Sequence, residues 1–184
     1  MTIDAMTSPS DESQLRQWVD KLAIREVLER YMRYNDDLAA DKIAELFDDD
    51  ARFQVMGQVH VGRDAIRAFF TREGANAPAW TEPGELFKQP EWIHVSSNPV
   101  IDVDGGTATA ETDFVVLRRN DEGRARPVLI GRYRDRLRRR DDGRWVIVTR
   151  TGVSAARPGE ERTDAEWAQT LEQMSPSERA QLRT

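Results

Sequence analysis

His94 is one of only two histidines in the sequence and the residue whose surroundings best suit proton transfer. Its segment alternates so that one face of a predicted strand carries Trp92, His94, Ser96 and Asn98. A polar row inside an apolar sheet needs partners, because a buried polar group without a hydrogen bond costs ~1–3 kcal/mol. His94 is therefore either a hydrogen-bonded core residue or a general base, and a base needs a second group.

The second group is a carboxylate at the end of the first predicted helix, either Asp36 or Asp37. A carboxylate that accepts the Nδ1 proton of His94 fixes the ring tautomer and leaves Nε2 free to take a proton. General-base catalysis of this kind is worth ~10²–10⁴-fold in rate. The alternative is that both aspartates are solvated residues of a helix end.

Tyr31 lies five residues before Asp36, on the apolar side of the same helix with Val27 and Leu28. A buried tyrosine hydroxyl needs a hydrogen-bond partner. Tyr31 either polarises a substrate carbonyl or protonates a leaving oxygen, or it bonds a backbone carbonyl in the core.

Charged residues on two later strands allow two interpretations each. Asp113 shares a strand face with Glu111, and it is a second acid of the site if that face lines a cavity, or the partner of an arginine if the face meets water. Every second residue of the next strand is an arginine: Arg132, Arg134, Arg136 and Arg138. Cross-strand pairing with acids is the default explanation, and attraction of an anionic substrate tail such as a coenzyme A thioester is the functional one.

The elements that must position these residues follow from apolar spacing. Helices are predicted at residues 15–34, at about 43–47 and at 64–71, with Asp48, Asp49 and Asp50 ending the second. Short strands at 52–56 and 59–61 precede four longer ones at 92–103, 107–119, 128–140 and 145–153, whose tight turns indicate an antiparallel meander. Helices first and strands later predict an α+β fold. A strongly curved antiparallel or mixed sheet wrapped around the N-terminal helices would form a cone-shaped α+β barrel with one open mouth.

The chain divides into three parts by composition. Residues 1–13 are predicted to be a mobile tail, residues 14–153 the folded domain, and residues 154–184 a helical extension. Within the domain, glycines and prolines interrupt residues 72–90, and a long irregular segment of this kind is typical of a lid.

Composition excludes several classes of protein. The 184 residues carry no cysteine, which excludes disulfides, thiolate catalysis and sulfur-ligated metal, and two histidines cannot form a three-histidine zinc site. Neither a glycine-rich dinucleotide motif nor a phosphate loop occurs. The net charge of −6 argues against nucleic-acid binding, and no apolar run suits a membrane span or a secretory signal. We expect a cytoplasmic domain without a cofactor or metal.

Four segments of the sequence resemble a known family. They are "LAIREVLERYMRYNDDLAADKIAELFDDDARF", "GRDAIRAFF", "IHVSSNPVIDVDGGTATAETDF" and "GRYRDRLRRRDDGRWVIVTRTG". Together they resemble the SnoaL-like branch of the nuclear transport factor 2-like, cystatin-like superfamily over about residues 20–153. That superfamily includes polyketide cyclases, ketosteroid isomerases, dehydratases, small dioxygenase subunits and non-catalytic binders.

Within that branch, Asp36 and His94 look like the Asp–His dyad of scytalone dehydratase, bile-acid 7α-dehydratase and hexachlorocyclohexane dehydrochlorinase, which are cofactor-free eliminating enzymes. The resemblance implies that Tyr31 matches the catalytic tyrosine of the bile-acid enzyme, Asp113 its second pocket acid and Arg150 its strand arginine. The second histidine that scytalone dehydratase uses has no counterpart, since His60 falls in another segment.

The function that follows is a dehydratase-type elimination on a hydrophobic, cyclic, steroid- or polyketide-like substrate. His94, Asp36 and Tyr31 would be catalytic, and the predicted substrate-binding residues are Asp113, Arg150, Asn98, Trp80, Phe53 and Trp92. A steroid isomerase, a polyketide cyclase, a passive hydrophobic-ligand carrier and a small oxygenase subunit are the alternatives. The dyad-bearing relatives imply a homo-oligomer, either a trimer or a dimer.

Overall fold

The computed structural model describes residues 9–55, 57–76, 92–119 and 123–154. The chain divides after Val153 into two units, and the helices and the sheet belong to the first. Trp80, the predicted lid beyond residue 76 and nearly all of the predicted C-terminal extension lie outside the described residues.

The described residues form three helices and six strands. The helices are α1 (Pro9–Asp36), α2 (Ala40–Glu45) and α3 (Arg63–Asn76). The strands are β1 (Phe47–Val55), β2 (Gln58–Val61), β3 (Trp92–Asp104), β4 (Thr107–Arg119), β5 (Ala125–Arg139) and β6 (Trp145–Ser154). None of these helices combines the length and the apolarity that crossing a membrane requires.

All six strands belong to one sheet in the order β2-β1-β6-β5-β4-β3. The pairs β1–β2, β3–β4 and β4–β5 are antiparallel, and β1 runs parallel to β6. The predicted α+β class is confirmed, as N-terminal helices and a curved, mixed, open sheet. Alternate residues of β4 are buried and mark the inner face of the sheet: Ala108, Ala110, Thr112, Phe114 and Val116.

The inner face packs against one side of the second half of α1, where Ile24, Leu28 and Tyr31 are buried. The apolar stripe one turn earlier remains exposed, and Trp18 keeps 67% of its surface. Asp20 explains the difference, because its carboxylate accepts hydrogen bonds at 3.0 Å from the indole of Trp145 and at 3.1 Å from Arg139. These bonds turn the polar side of α1 inward at that level.

The boundary between α2 and β1 differs from the sequence prediction. The prediction that residues 48–50 end a helix is wrong, since β1 begins at Phe47 and Asp48 has only 1% of its surface exposed. Asp48 pairs with Arg138 and, at 3.0 Å, with Arg140. Helix α1 begins at Pro9, so the prediction that the mobile tail extends to residue 13 is wrong. Helix α3 runs to Asn76, so the first residues of the predicted lid are helical as well.

Asp48 should make stability fall in acid. Hydrogen bonding from Arg138, helped by Arg140, lowers the pKa of Asp48 from 3.8 to about 2 although burial opposes this. A lowered pKa in the folded state adds stability above about pH 4, and that stability is lost as the pH falls toward 2. Asp48→Asn should therefore lower the free energy of unfolding at pH 7 by about 2 kcal/mol, measured by urea denaturation.

The matched control is Asp49→Asn, because Asp49 is the next residue and its side chain is 77% exposed. Its loss should cost less than ~1 kcal/mol. A difference between Asp48→Asn and the wild-type protein that is as large at pH 2 as at pH 7 would contradict the assignment.

Candidate functional site

The site begins at the end of α1, which closes in a Schellman motif. The N–H of Ala39 donates to the carbonyl of Tyr34 at 2.8 Å, and the N–H of Leu38 donates to that of Asn35 at 3.1 Å. Leu38 has a φ of 53°, the left-handed conformation that this motif requires. The motif fixes the last helical turn, and with it the direction in which Asp36 leaves the helix.

Asp36 contacts both the ring and the backbone of His94 in β3. The Nδ1 of His94 lies 2.6 Å from Oδ1 of Asp36, and the backbone N–H of His94 donates to the same carboxylate at 3.1 and 3.2 Å. Both side chains are nearly buried, 11% exposed for His94 and 5% for Asp36. Of the two candidate aspartates, Asp36 makes the contact and Asp37 is exposed. These donors also offset the unfavourable position of a carboxylate at the negative end of a helix.

An aromatic row leads from His94 into the core. The ring of Phe114 lies 6.4 Å from that of His94 and stacks on Tyr133 at 4.4 Å. Tyr133 meets Tyr31 edge-on at 5.6 Å. Burial, reinforced by the neighbouring Tyr133 hydroxyl, raises the pKa of Tyr31 well above 10, so its own hydroxyl stays protonated and can donate.

Arg150 lies beneath this row with no exposed surface. Its guanidinium donates two hydrogen bonds to Asp135, at 2.7 and 2.9 Å, and lies over the rings of Tyr31 at 3.9 Å and Tyr133 at 4.6 Å. Burial alone would lower the pKa of Arg150, but the charge of Asp135 outweighs it and the pKa is raised, so the cation persists. Within the described residues Nη1 has no hydrogen-bond partner.

Two glycines make room for the aromatic row. A Cβ at Gly131 would lie 2.6 Å from Cζ of Phe114, and one at Gly152 would lie 3.0 Å from Cε1 of Tyr133. The first contact is shorter than real Cβ atoms tolerate, and the second is shorter than they normally show. Only a residue without a side chain therefore lets the rings lie this close to the sheet.

The arrangement can move a proton and hold an oxygen that becomes negative. Asp36 sets the His94 tautomer with Nδ1 protonated, which leaves Nε2 as the basic nitrogen. Protonated tyrosine hydroxyls backed by a guanidinium stabilise a developing oxyanion in a water-poor interior. Among the described residues no cluster of three or more His, Asp or Glu side chains could bind a metal ion.

Two of the predicted lining residues lie on the inner side of the sheet. Phe53 is buried next to Tyr31, with ring centroids 6.3 Å apart, and it neighbours Arg150 across β1 and β6. Trp92 is partly buried against the core.

The prediction that Asn98 shares the inner face is wrong. Between Ser97 and Val100 the pairing of β3 with β4 shifts, and Asn98 adopts a φ of 50° and is exposed. This β-bulge adds one residue, so the inward positions change from even numbers to odd ones and Ile101 is buried.

The prediction that Asp113 is a pocket acid is also wrong. Asp113 lies on the outer face of β4, 47% exposed, and accepts hydrogen bonds from Arg132 at 2.6 and 3.2 Å. Arg134 pairs with Glu111 at 3.2 Å. Cross-strand pairing with Asp113 and Glu111 therefore accounts for Arg132 and Arg134.

Sequence reasoning missed Tyr133, Asp135 and Asn35. The first two were detectable, because they alternate with the arginines of β5 and so must face the opposite side of the sheet. Asn35 carries no such signal. Its Nδ2 lies 3.4 Å from Nε2 of His94, and only the fold brings them together.

Comparison with known proteins agrees with this architecture. A family model described as SnoaL-like domain matches residues 16–151. No curated protein matches the chain. Among solved structures, a Mycobacterium tuberculosis protein of unknown function is 24% identical with a TM-score of 0.67, covering 91% of this chain and 91% of that one.

Two structures from Novosphingobium aromaticivorans are also similar. A nuclear transport factor 2-like protein with a cystatin-like fold is 25% identical with a TM-score of 0.66, covering 89% of this chain and 97% of that one. A putative scytalone dehydratase is 21% identical with a TM-score of 0.60, covering 80% of this chain and 91% of that one. The likenesses to the mycobacterial protein and to this dehydratase concern the fold alone.

The contact between Asp36 and His94 should be visible by proton NMR. We expect a low-field resonance from the Nδ1 proton of His94 that disappears in Asp36→Asn and remains in Asp37→Asn. His94→Ala assigns the signal, because the only other histidine is His60. A resonance that survives Asp36→Asn would refute the contact.

Two Asp–Arg pairs of similar geometry should differ strongly in energy. Asp135→Asn leaves the Arg150 cation buried without its counter-charge and should lower the free energy of unfolding by about 3–5 kcal/mol. Asp113→Asn breaks the exposed pair with Arg132 and should cost less than ~1 kcal/mol. Denaturant titrations of both variants measure the difference, and equal losses would contradict it.

Proposed function

Because this chain belongs to the SnoaL-like domain family, we propose that it is a cofactor-independent lyase that eliminates water from a hydrophobic, cyclic substrate. The family includes dehydratases, isomerases and cyclases. The proposal rests chiefly on one observation, the 2.6 Å contact between the buried Asp36 carboxylate and Nδ1 of His94. A carboxylate at that nitrogen is what prepares a neutral histidine to act as a base through the other one.

In the proposed reaction Nε2 of His94 removes a proton from a carbon next to a carbonyl. The electron pair moves onto the carbonyl oxygen, and the Asp36 carboxylate stabilises the imidazolium that forms. As the electrons return, the double bond forms, the bond to a β-hydroxyl breaks, and the imidazolium proton leaves with that hydroxyl as water. No oxidant or reductant is needed, because the elimination is redox-neutral.

The carbonyl oxygen that becomes negative requires hydrogen-bond donors, and buried side chains at the inner face of the sheet can supply them. The rings of Tyr31 and Tyr133 lie against the Arg150 guanidinium, whose Nη1 makes no hydrogen bond within the described residues. We assign the Tyr31 hydroxyl to the substrate oxygen, with Tyr133 bonded to it and Arg150 providing positive charge. Removing one such donor typically costs ~10²–10³-fold in rate.

An apolar ring system is the substrate class that suits the surroundings. The inner face of the sheet carries the rings of Phe114, Tyr133 and Phe53, together with Trp92, and the ring of Phe114 lies 6.4 Å from that of His94. Such surface binds a steroid- or polyketide-like skeleton through burial of apolar area. The predicted coenzyme A carrier, the cytoplasmic location and the predicted homo-oligomer stay predictions.

A steroid isomerase or polyketide cyclase would use the same side chains, with the proton returned to another carbon and no group lost. Loss of water therefore separates the lyase from these alternatives. A passive carrier of hydrophobic ligands would not need the Asp36–His94 contact at all.

Turnover tests the proposal directly. Hydroxylated steroids and polyketides bearing a β-hydroxy ketone, free and as thioesters, are incubated with the protein, and mass spectrometry follows the loss of one water. His94→Gln and Asp36→Asn should each reduce kcat/KM by about 10²-fold or more. The exposed neighbour Asp37→Asn should keep wild-type turnover.

The outcomes separate the classes. A product of unchanged mass supports the isomerase or cyclase. Ligand binding without turnover that survives both His94→Gln and Asp36→Asn supports the carrier and refutes an enzyme of this mechanism.

A further inference from the structure

We infer that Asn35 is a substrate-contacting residue: its amide hydrogen-bonds Nε2 of His94 before substrate arrives and transfers to an oxygen of the substrate when it binds. The inference rests on the proposed function, since it concerns the same histidine, and it adds a requirement on the substrate. Asn35 directly precedes Asp36, so one helical turn supplies a partner to each nitrogen of the His94 ring.

The two contacts with the ring are unequal. Asp36 approaches Nδ1 to 2.6 Å, at the short limit of charge-assisted hydrogen bonds, whereas Nδ2 of Asn35 is 3.4 Å from Nε2. The longer bond is weak and easily exchanged. A group that arrives at Nε2 therefore displaces Asn35 and leaves the Asp36 contact in place.

The amide suits both protonation states of His94. While Nδ1 carries the proton, Nε2 can only accept, and the NH₂ of Asn35 donates to it. Once Nε2 has taken a proton it can only donate, and the amide oxygen, brought round by rotation about χ2, accepts from it. A serine at this position would be too short to span the same distance, and leucine would have no polar atom.

The main chain of Asn35 is fixed while its side chain can rotate. Its carbonyl accepts the N–H of Leu38 at 3.1 Å within the Schellman motif, and the side chain is half-buried. An amide released from Nε2 stays within a few ångströms of it. The substrate is therefore one with an oxygen one or two bonds from the carbon that loses its proton, as in a β-hydroxy carbonyl compound.

Chemical modification tests the occupancy of Nε2 without a substrate. Diethyl pyrocarbonate acylates an unprotonated imidazole nitrogen, and peptide mass spectrometry resolves His94 from His60, which serves as the internal reference. We expect His94 to be acylated about fivefold faster in Asn35→Ala than in the wild type, as for the loss of one hydrogen bond. Asp37→Asn, on the same helix end, should leave the rate unchanged.

Asn35→Leu separates hydrogen bonding from shielding, because leucine has nearly the shape of asparagine. Acceleration in both variants supports the inference, and a wild-type rate in Asn35→Leu overturns it. In both variants the low-field resonance of the Nδ1 proton must remain, and the Nε2 nitrogen resonance must shift. Loss of the Nδ1 proton resonance would show that Asn35 acts through Asp36 and would also overturn the inference.

The two proposals fail separately. Unchanged Nε2 reactivity in proteins that retain the low-field proton refutes the role of Asn35 alone. Turnover that is indifferent to His94→Gln and Asp36→Asn refutes the proposed function, whatever the modification rates are.

Discussion

A positive charge with no exposed surface is the constraint on which the rest of this structure depends. Isolated in an apolar interior, the Arg150 guanidinium would cost several kcal/mol. Three groups offset that cost, namely the Asp135 carboxylate and the faces of Tyr31 and Tyr133. Asp135 and Tyr133 come from the neighbouring strand β5, but Tyr31 comes from α1, so the charge ties the helix to the sheet at a defined height.

That tie sets the position of the dyad. Asp36 follows Tyr31 by five residues, which is about 7.5 Å along a helix axis. With Tyr31 held over Arg150, the last turn of α1 reaches β3 where His94 faces inward, and the carboxylate meets both the ring and the backbone of that residue. The Arg150 cluster and the Asp36–His94 contact are thus coupled through one helix, and a change in either moves the other.

The sequence supports the fold and the Asp36–His94 pair well, because periodicity and a family resemblance both bear on them. Prediction from the sequence fails where a shift of one residue in strand register decides which face of the sheet a side chain lies on. The bulge at Asn98 exchanges the two faces of β3, and the pattern of β4 alone does not say whether Asp113 or Thr112 faces inward. Asn35 could not be found from the sequence, since its role exists only where helix and strand meet.

Leu38 sets a trade-off between the stability of the chain and the constancy of the Asp36–His94 contact. A leucine in the left-handed region costs roughly 1–2 kcal/mol that glycine would avoid. Glycine would also widen the conformations open to the chain just after Asp36, and an aspartate that samples more directions spends less time against His94. Selection for heat resistance alone would therefore favour glycine at this position, whereas selection for a constant Asp36–His94 contact would retain the strained leucine.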